Sequence, residues 1–222
     1  MGFKIKEIKK MKEMKKYLVL IILLSSVNVA MSQAAFSFEP GDFLFQDLDC
    51  GGFCDAIEKV TDGVDGKDFS HVAIFIYDGL GRSCVIEAVG KGVIYTPLDS
   101  FFMRSSKVVV GRVKPKYKSL IPKALCNAQQ LLGKPYDDGF DINNQVFYCS
   151  ELLYWSFRKA NNNQDFFPLF PMTYNDPDTK KIFPIWEKYF QDLKIPVPEN
   201  QPGLNPGGVS RDEKIDIVKS YY

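Results

Sequence analysis

The chain has 222 residues, of which 45% are hydrophobic, and 28 Lys and Arg residues nearly balance 27 Asp and Glu residues. This balance excludes the strongly basic character typical of a nucleic-acid-binding protein, and the length suits one domain with a full hydrophobic core rather than two. One histidine and five cysteines limit the candidates for chemistry that needs an imidazole or a thiol.

Residues 1–34 have the three-part layout of a secretory signal peptide. A lysine-rich start is followed by an apolar run over residues 17–24 and then by small residues. The run is too short for a transmembrane anchor, which needs roughly 20 apolar residues, and the head has too few large apolar residues for an amphipathic membrane helix. We favour cleavage after Ala34 over cleavage after Ser32. Residues 35–222 are then a single exported domain, located in the periplasm or cell envelope.

The first half of this domain predicts mainly strands. An apolar, strand-like run lies within residues 41–49, and a short helical pattern covers residues 54–63. Residues 69–98 predict three strands separated by Gly-rich turns. A fourth strand, rich in β-branched residues, is predicted at residues 107–114.

The second half predicts helices. Apolar residues repeat at helical spacing over residues 121–132, and GKP at residues 133–135 ends that helix. Further helices are predicted at residues 149–160 and 184–193, with a long polar and aromatic loop at residues 136–148. Strands followed mostly by helices indicate an α+β domain with a central antiparallel sheet packed against helices.

The single histidine, His71, begins one of the predicted strands. A hairpin joins this strand to the next, on which Glu87 lies. If the turn centres on Gly79, His71 faces Glu87 directly, and if it centres on Leu80, Ala73 faces Glu87 and His71 is the diagonal neighbour. Either register predicts that an imidazole and a carboxylate meet, as a general base requires. An ordinary cross-strand polar pair is the alternative.

Cys149 begins the helix of the motif FYCSELLYWSF. Helical spacing places its thiol on the face that we expect to pack against the sheet. A helix N-terminus that faces a histidine stabilises a thiolate, so Cys149 is a candidate nucleophile; a small core residue is the alternative. Glu151 lies about 200° further around the helix and is interpreted as a charge that complements the helix dipole.

The other cysteines and one glutamine are weaker candidates. The spacing of Cys50 and Cys54 indicates either a disulfide or half of a metal site. The chain lacks the second pair of ligands that a metal site needs. Core packing is expected for Cys84 and Cys126, with a buried disulfide as the alternative. Gln46 is a candidate oxyanion donor, although an exposed amide is the preferred interpretation.

Eight short motifs, taken in order, resemble one known family. They are GDFLFQ, CDAIEKVT, DFSHVAIF, VIEAVGKGV, TPLDSF, GKPYD, FYCSELLYWSF and GLNPGGVSR. Together they are similar to the permuted branch of the NlpC-type papain-like cysteine hydrolases, the YiiX/YebB-like group. The resemblance implies a circularly permuted papain-like fold, with Cys149 as nucleophile, His71 as base and Glu87 as the third catalytic residue.

The resemblance implies an exported cysteine hydrolase that cleaves an amide bond, with a cell-wall peptide or peptidoglycan fragment as substrate and no metal or organic cofactor. An acyl-lipid hydrolase or acyltransferase with the same three residues is one alternative. A non-catalytic envelope-binding protein, with Cys149 disulfide-bonded or simply packed, is another. The aromatic residues of the loop before Cys149 and of the tail are expected to pack against the core, and an apolar substrate groove that they form together is the alternative. The tail residues are Phe166, Phe167, Phe170 and Tyr174.

Overall fold

The computed structural model describes residues 36–222. The predicted signal peptide and its cleavage site after Ala34 lie outside this range. Among residues 36–222, no helix is both long enough and apolar enough to cross a membrane.

The fold is built on a six-stranded sheet in which every neighbouring pair of strands is antiparallel. Its spatial order is β4-β3-β2-β1-β5-β8. These strands are β1 (Phe43–Gln46), β2 (His71–Tyr77), β3 (Ser83–Val89), β4 (Gly92–Pro97), β5 (Val108–Val113) and β8 (Ile215–Ser220). A separate two-stranded ladder joins β6 (Phe170–Pro171) to β7 (Pro202–Gly203).

Helices cover both faces of the sheet. They are α1 (Gly52–Glu58), α2 (Leu98–Arg104), α3 (Ile121–Gln130), α4 (Cys149–Ala160), α5 (Pro184–Leu193) and α6 (Pro206–Ser210). Short 3₁₀ turns occur at Val64–Gly66 and Pro115–Leu120. The α+β class with a central antiparallel sheet is confirmed.

The alternation of side chains along the strands explains why the sheet has two apolar faces. One face, which includes Phe43 and Ile74, belongs to the main core together with Leu152 of α4. The other face, which includes Leu44 and Phe75, packs against Phe101 of α2. The catalytic candidates lie where this sandwich of helix, sheet and helix ends.

The β2–β3 register decides between the two predicted hairpins. Phe75 pairs with Val85 and Ile74 with Ile86, so the turn centres on Leu80. His71 is therefore the diagonal neighbour of Glu87, which is the second of the two predicted registers.

The cysteine predictions have mixed outcomes. Cys50 and Cys54 form a disulfide, and Cys84 is a buried free thiol as expected. Core packing is wrong for Cys126, which is exposed. Only Ala124 and Ala128 of α3 are fully buried, so the buried stripe of this helix is narrow and Cys126 lies outside it.

Candidate active site

His71, the first residue of β2, forms a buried pair with Glu87 of β3. The imidazole Nε2 lies 2.7 Å from Glu87 Oε2, and the two residues are 5% and 0% exposed. The predicted meeting of imidazole and carboxylate is therefore what the structure shows. Because Nε2 is engaged with Glu87, Nδ1 is the ring nitrogen left for another partner.

Two further residues hold the Glu87 carboxylate. The Thr96 hydroxyl donates to Oε1 at 2.5 Å, and Arg104 Nη2 donates to Oε2 at 2.6 Å. Burial favours the neutral carboxyl and would raise the pKa of Glu87, but hydrogen bonds and opposite charge from His71 and Arg104, with the Thr96 hydrogen bond, outweigh it and lower the pKa to about 2. Glu87 is therefore ionised at neutral pH.

Cys149 is the other neighbour of the imidazole. It is a free, buried thiol at the first position of α4, and it lies near enough to the imidazole to contribute to the raised pKa of His71. Burial would lower the pKa of His71, but the interactions with Cys149 and Glu87 raise it to about 9. The structure thus brings Cys149, His71 and Glu87 together in that order.

The N-terminus of α4 adds a second feature. The backbone N–H of Leu152 bonds to the Tyr148 carbonyl, whereas no residue within 36–222 accepts a hydrogen bond from the backbone N–H of Cys149. Free N–H groups and the positive end of the dipole favour negative charge at this position. A thiolate or an oxyanion fits this environment.

The interpretation of Gln46 was wrong. This residue ends β1 and pairs with His71 across the sheet, but its side chain is buried. Its amide nitrogen donates to the backbone carbonyls of Phe101 and Ser105, each at 2.9 Å. Since both amide hydrogens are used, Gln46 secures α2 to the sheet and is neither an exposed amide nor an oxyanion donor.

Glu151 lies in the first turn of α4, as interpreted, but the interpretation of its carboxyl as a charge was wrong. Glu151 is completely buried, where it accepts hydrogen bonds from the Tyr148 backbone N–H and from Trp155 Nε1, both at 3.2 Å. Burial raises the pKa of Glu151, the nearby charge of Asp137 raises it further, and the two hydrogen bonds only partly oppose this, so the pKa is about 9. Glu151 is therefore mainly protonated at neutral pH.

A narrow cavity of about 70 Å³ lies beside Cys149. Tyr174 lines it, which fits the groove interpretation of the tail for this one residue. Phe166 and Phe167 instead pack against Phe157 of α4, as the packing interpretation predicts. Phe170 lines a separate cavity, to which Phe167 also contributes.

Sequence reasoning missed Thr96 and Arg104. Arg104 ends α2, and that helix was not predicted, although Leu98, Phe101 and Phe102 follow Pro97 at helical spacing. This spacing was the available signal. Recognising the helix would have placed an arginine near the histidine strand.

The family is decided by a match over residues 37–219 to the sequence profile described as "Permuted papain-like amidase enzyme, YaeF/YiiX, C92 family". The chain belongs to this family of permuted papain-like amidases. The match covers almost the whole of the described chain, and it confirms the family resemblance and the permuted papain-like fold.

Two comparisons with individual proteins agree with this assignment. The chain is 32% identical over 152 residues to the uncharacterized protein YiiX of Escherichia coli K12, covering 66% of this chain and 69% of that protein. A solved structure, described as metalloprotein YiiX from Escherichia coli O157:H7, superposes with a TM-score of 0.70 at 23% identity, covering 83% of this chain and 98% of the other.

The word metalloprotein applies to that relative. Within residues 36–222 of this chain, no group of three or more His, Cys, Asp or Glu side chains is arranged to hold a metal ion. The donor set thus does not fit a resident metal, and no step below uses one.

Proposed function

We propose that the protein is a cysteine amidase in which Cys149 is the nucleophile, His71 the general base and acid, and Glu87 the residue that orients the imidazole. The observation that carries the proposal is the position of His71 between the Cys149 thiol and the ionised Glu87. The same arrangement activates nucleophiles in unrelated hydrolases.

The proposed reaction has two halves. The Cys149 proton passes to His71 before the attack, the thiolate sulfur then attacks the substrate carbonyl carbon, and the resulting oxyanion accepts a hydrogen bond from the Cys149 backbone N–H. His71 then protonates the leaving amine as the C–N bond breaks, which leaves a thioester on Cys149. A water molecule, deprotonated by His71, attacks the thioester and releases the acid and the free thiol.

Glu87 supports this cycle without exchanging a proton. Its pKa of about 2 keeps it charged while His71 alternates between neutral and protonated forms. A fixed negative charge next to Nε2 stabilises the imidazolium and directs Nδ1 toward the sulfur.

The proposed substrate is a short peptide of the cell wall, and the proposed location is the periplasm or cell envelope. Three observations support this: the lysine-rich and apolar start of the chain, the Cys50–Cys54 disulfide, which persists in oxidising compartments, and membership of an amidase family.

An acyl-lipid hydrolase or acyltransferase is the second candidate, because no acidic or basic side chain lines the narrow cavity beside Cys149. A charge-free apolar space suits a hydrocarbon chain. The alternative of a non-catalytic envelope-binding protein had two forms, with Cys149 either disulfide-bonded or simply packed. The disulfide-bonded form is excluded, because Cys149 is a free thiol.

The test is hydrolysis of peptidoglycan-derived peptides, followed by mass spectrometry, by the wild type, by Cys149→Ala and by the matched control Cys126→Ser. We expect new amine termini with the wild type and the control and none with Cys149→Ala. Cleavage by Cys149→Ala at the wild-type rate would contradict the assigned nucleophile. Thioester or ester cleavage without amide cleavage would support the acyl-lipid candidate instead.

A further inference from the structure

Six separate parts of the chain form the walls of the cavity beside Cys149. They are the end of α1 with the segment after it, Ser70, the loop before α4 with the first two residues of α4, residues 172–174, Trp186 of α5, and residues 204–206. Its volume of about 70 Å³ is small compared with ordinary ligand pockets. It therefore suits one slender portion of a substrate rather than a bulky ring system.

Three residues in these walls each carry a buried polar atom that has no hydrogen-bond partner among residues 36–222. The atoms are Thr61 Oγ1, Tyr174 OH and Trp186 Nε1, and their residues are only 4%, 4% and 3% exposed. Outside this cavity, the same condition applies within the described chain only to Gln46 Oε1 and Glu58 Oε1. Since buried polar groups in native proteins are nearly always paired, their concentration beside the nucleophile indicates a ligand.

The chemistry of these groups defines that ligand. The indole N–H of Trp186 can only donate, whereas the hydroxyls of Thr61 and Tyr174 can donate or accept. A carbonyl oxygen is the acceptor that such donors share. No acidic or basic side chain lines the cavity, so an ammonium or a carboxylate would enter without a counterion.

A hydrocarbon chain fits this cavity poorly for the same reason. It would fill the apolar volume but leave all three buried polar atoms unpaired. A site built to hydrogen-bond a polar group discriminates strongly against an analogue that lacks it. The unpaired atoms therefore favour an amide-bearing substrate over the acyl chain that the absence of charge alone would suit.

We propose that this cavity is a substrate subsite for a neutral peptide unit, in which Trp186 Nε1, Tyr174 OH and Thr61 Oγ1 hydrogen-bond to backbone amide groups of the acyl side. The inference rests on the proposed cysteine hydrolase function and extends it to the substrate class. It assigns specificity to residues that lie far from Cys149 in the sequence.

The test compares two esters with the same leaving group, p-nitrophenol. One carries N-acetyl-Ala-Ala as its acyl group, and the other carries hexanoate. The variants Tyr174→Phe and Thr61→Val each remove one polar atom with little change of shape, whereas Trp186→Phe removes the indole N–H together with part of the ring system. Tyr154→Phe is the matched control, because the Tyr154 hydroxyl bonds to Asp165 outside the cavity.

We expect Tyr174→Phe and Trp186→Phe to lower kcat/KM for the peptide ester about fivefold to tenfold, the range of one lost hydrogen bond, while hexanoate hydrolysis changes less than twofold. The control should change neither reaction. Equal losses on both esters, or no loss on either, would overturn the inference. If Trp186→Phe lowers the melting temperature markedly, Tyr174→Phe and Thr61→Val decide the outcome.

Binding separates this inference from the proposed function. The dissociation constant of N-acetyl-Ala-Ala-N-methylamide is measured by calorimetry on Cys149→Ala, with and without Tyr174→Phe. Binding that weakens about fivefold with Tyr174→Phe supports the subsite even if no hydrolysis is found, and binding that does not change overturns it. Equal ester hydrolysis by the wild type and Cys149→Ala would contradict the proposed function alone.

Discussion

Glu87 and Glu151 are equally buried, yet their environments give them opposite charge states at neutral pH. Glu87 meets His71 and Arg104 and has a pKa of about 2 despite burial. Burial and the neighbouring charge of Asp137 raise the pKa of Glu151 to about 9, because its hydrogen-bond partners are uncharged N–H groups. Burial alone therefore does not decide which carboxyl can serve a catalytic histidine. The charges of its partners do.

Loss of activity is the largest expected difference between the two carboxyls. Glu87→Gln removes the charge that stabilises the His71 imidazolium, and we expect kcat/KM for an amide substrate to fall at least about 100-fold. Glu151→Gln keeps the shape and neutrality of the protonated side chain, although its NH2 group cannot accept one of the two hydrogen bonds that the carboxyl accepts, and we expect a change in kcat/KM below about threefold. Steady-state kinetics with both variants checks this, with circular dichroism as a control for folding. Similar losses in both would remove the distinction.

Arg104 provides the next largest effect, because it acts on the reaction only through Glu87. We expect Arg104→Ala to lower kcat/KM about tenfold and Arg104→Lys to recover part of the loss. Removing the cation raises the pKa of Glu87, so the acid limb of the pH profile should move to higher pH in Arg104→Ala. A loss of activity with an unchanged acid limb would show that Arg104 supports the fold without tuning Glu87.

The sequence predicted those features of the site that depend on a local pattern of residues along a strand or a helix. Alternation along β2 and β3 placed His71 near Glu87, and the motif around Cys149 gave the start of α4. Arg104 was missed because the seven residues of α2 form too short a helical pattern to stand out beside the strands. The protonated state of Glu151 depends on its burial and on the charge of Asp137 in the preceding loop. The helical periodicity of α4 carries no information about that loop.

Strand β8 was also missed, for a different reason. It pairs with β5 at the edge of the sheet, about 100 residues away in sequence, and only Ile215 among its residues is buried. An edge strand with an exposed surface lacks the apolar run that identified β1 and β5. This strand forms by pairing with β5, which is distant in sequence, so a local sequence pattern does not indicate it.

The pH dependence of stability is a smaller effect and has opposite signs at the two carboxyls. The pKa of Glu151 is about 9 in the folded protein, against an ordinary value of 4.5. The folded state thus holds a proton that the unfolded state loses, and stability falls as pH rises from about 4.5 to 9. We expect the melting temperature of Glu151→Gln relative to that of the wild type to rise by a few degrees between pH 4.5 and pH 8. A pH-independent difference would contradict the buried neutral carboxyl.

For Glu87 the sign reverses, because its folded pKa of about 2 lies below the ordinary 4.5. Its contribution to stability is complete above about pH 4.5 and is lost as pH falls through about 2. Glu87→Gln should therefore melt below the wild type at pH 7, with a gap that narrows in acid. Thermal unfolding of both variants between pH 3 and 8 measures the two slopes together, and parallel slopes would refute the comparison.

The most direct test of the catalytic assignment is the rate of iodoacetamide labelling at Cys149 against pH, read by peptide mass spectrometry, in the wild type and in His71→Ala. Cys126, which is exposed, provides an internal reference thiol in the same samples. We expect Cys149 to be labelled rapidly well below pH 8 in the wild type and slowly in His71→Ala, because the imidazolium stabilises the thiolate. A Cys149 rate that rises only near the ordinary thiol pKa of about 8.5, and that His71→Ala leaves unchanged, would contradict the nucleophile.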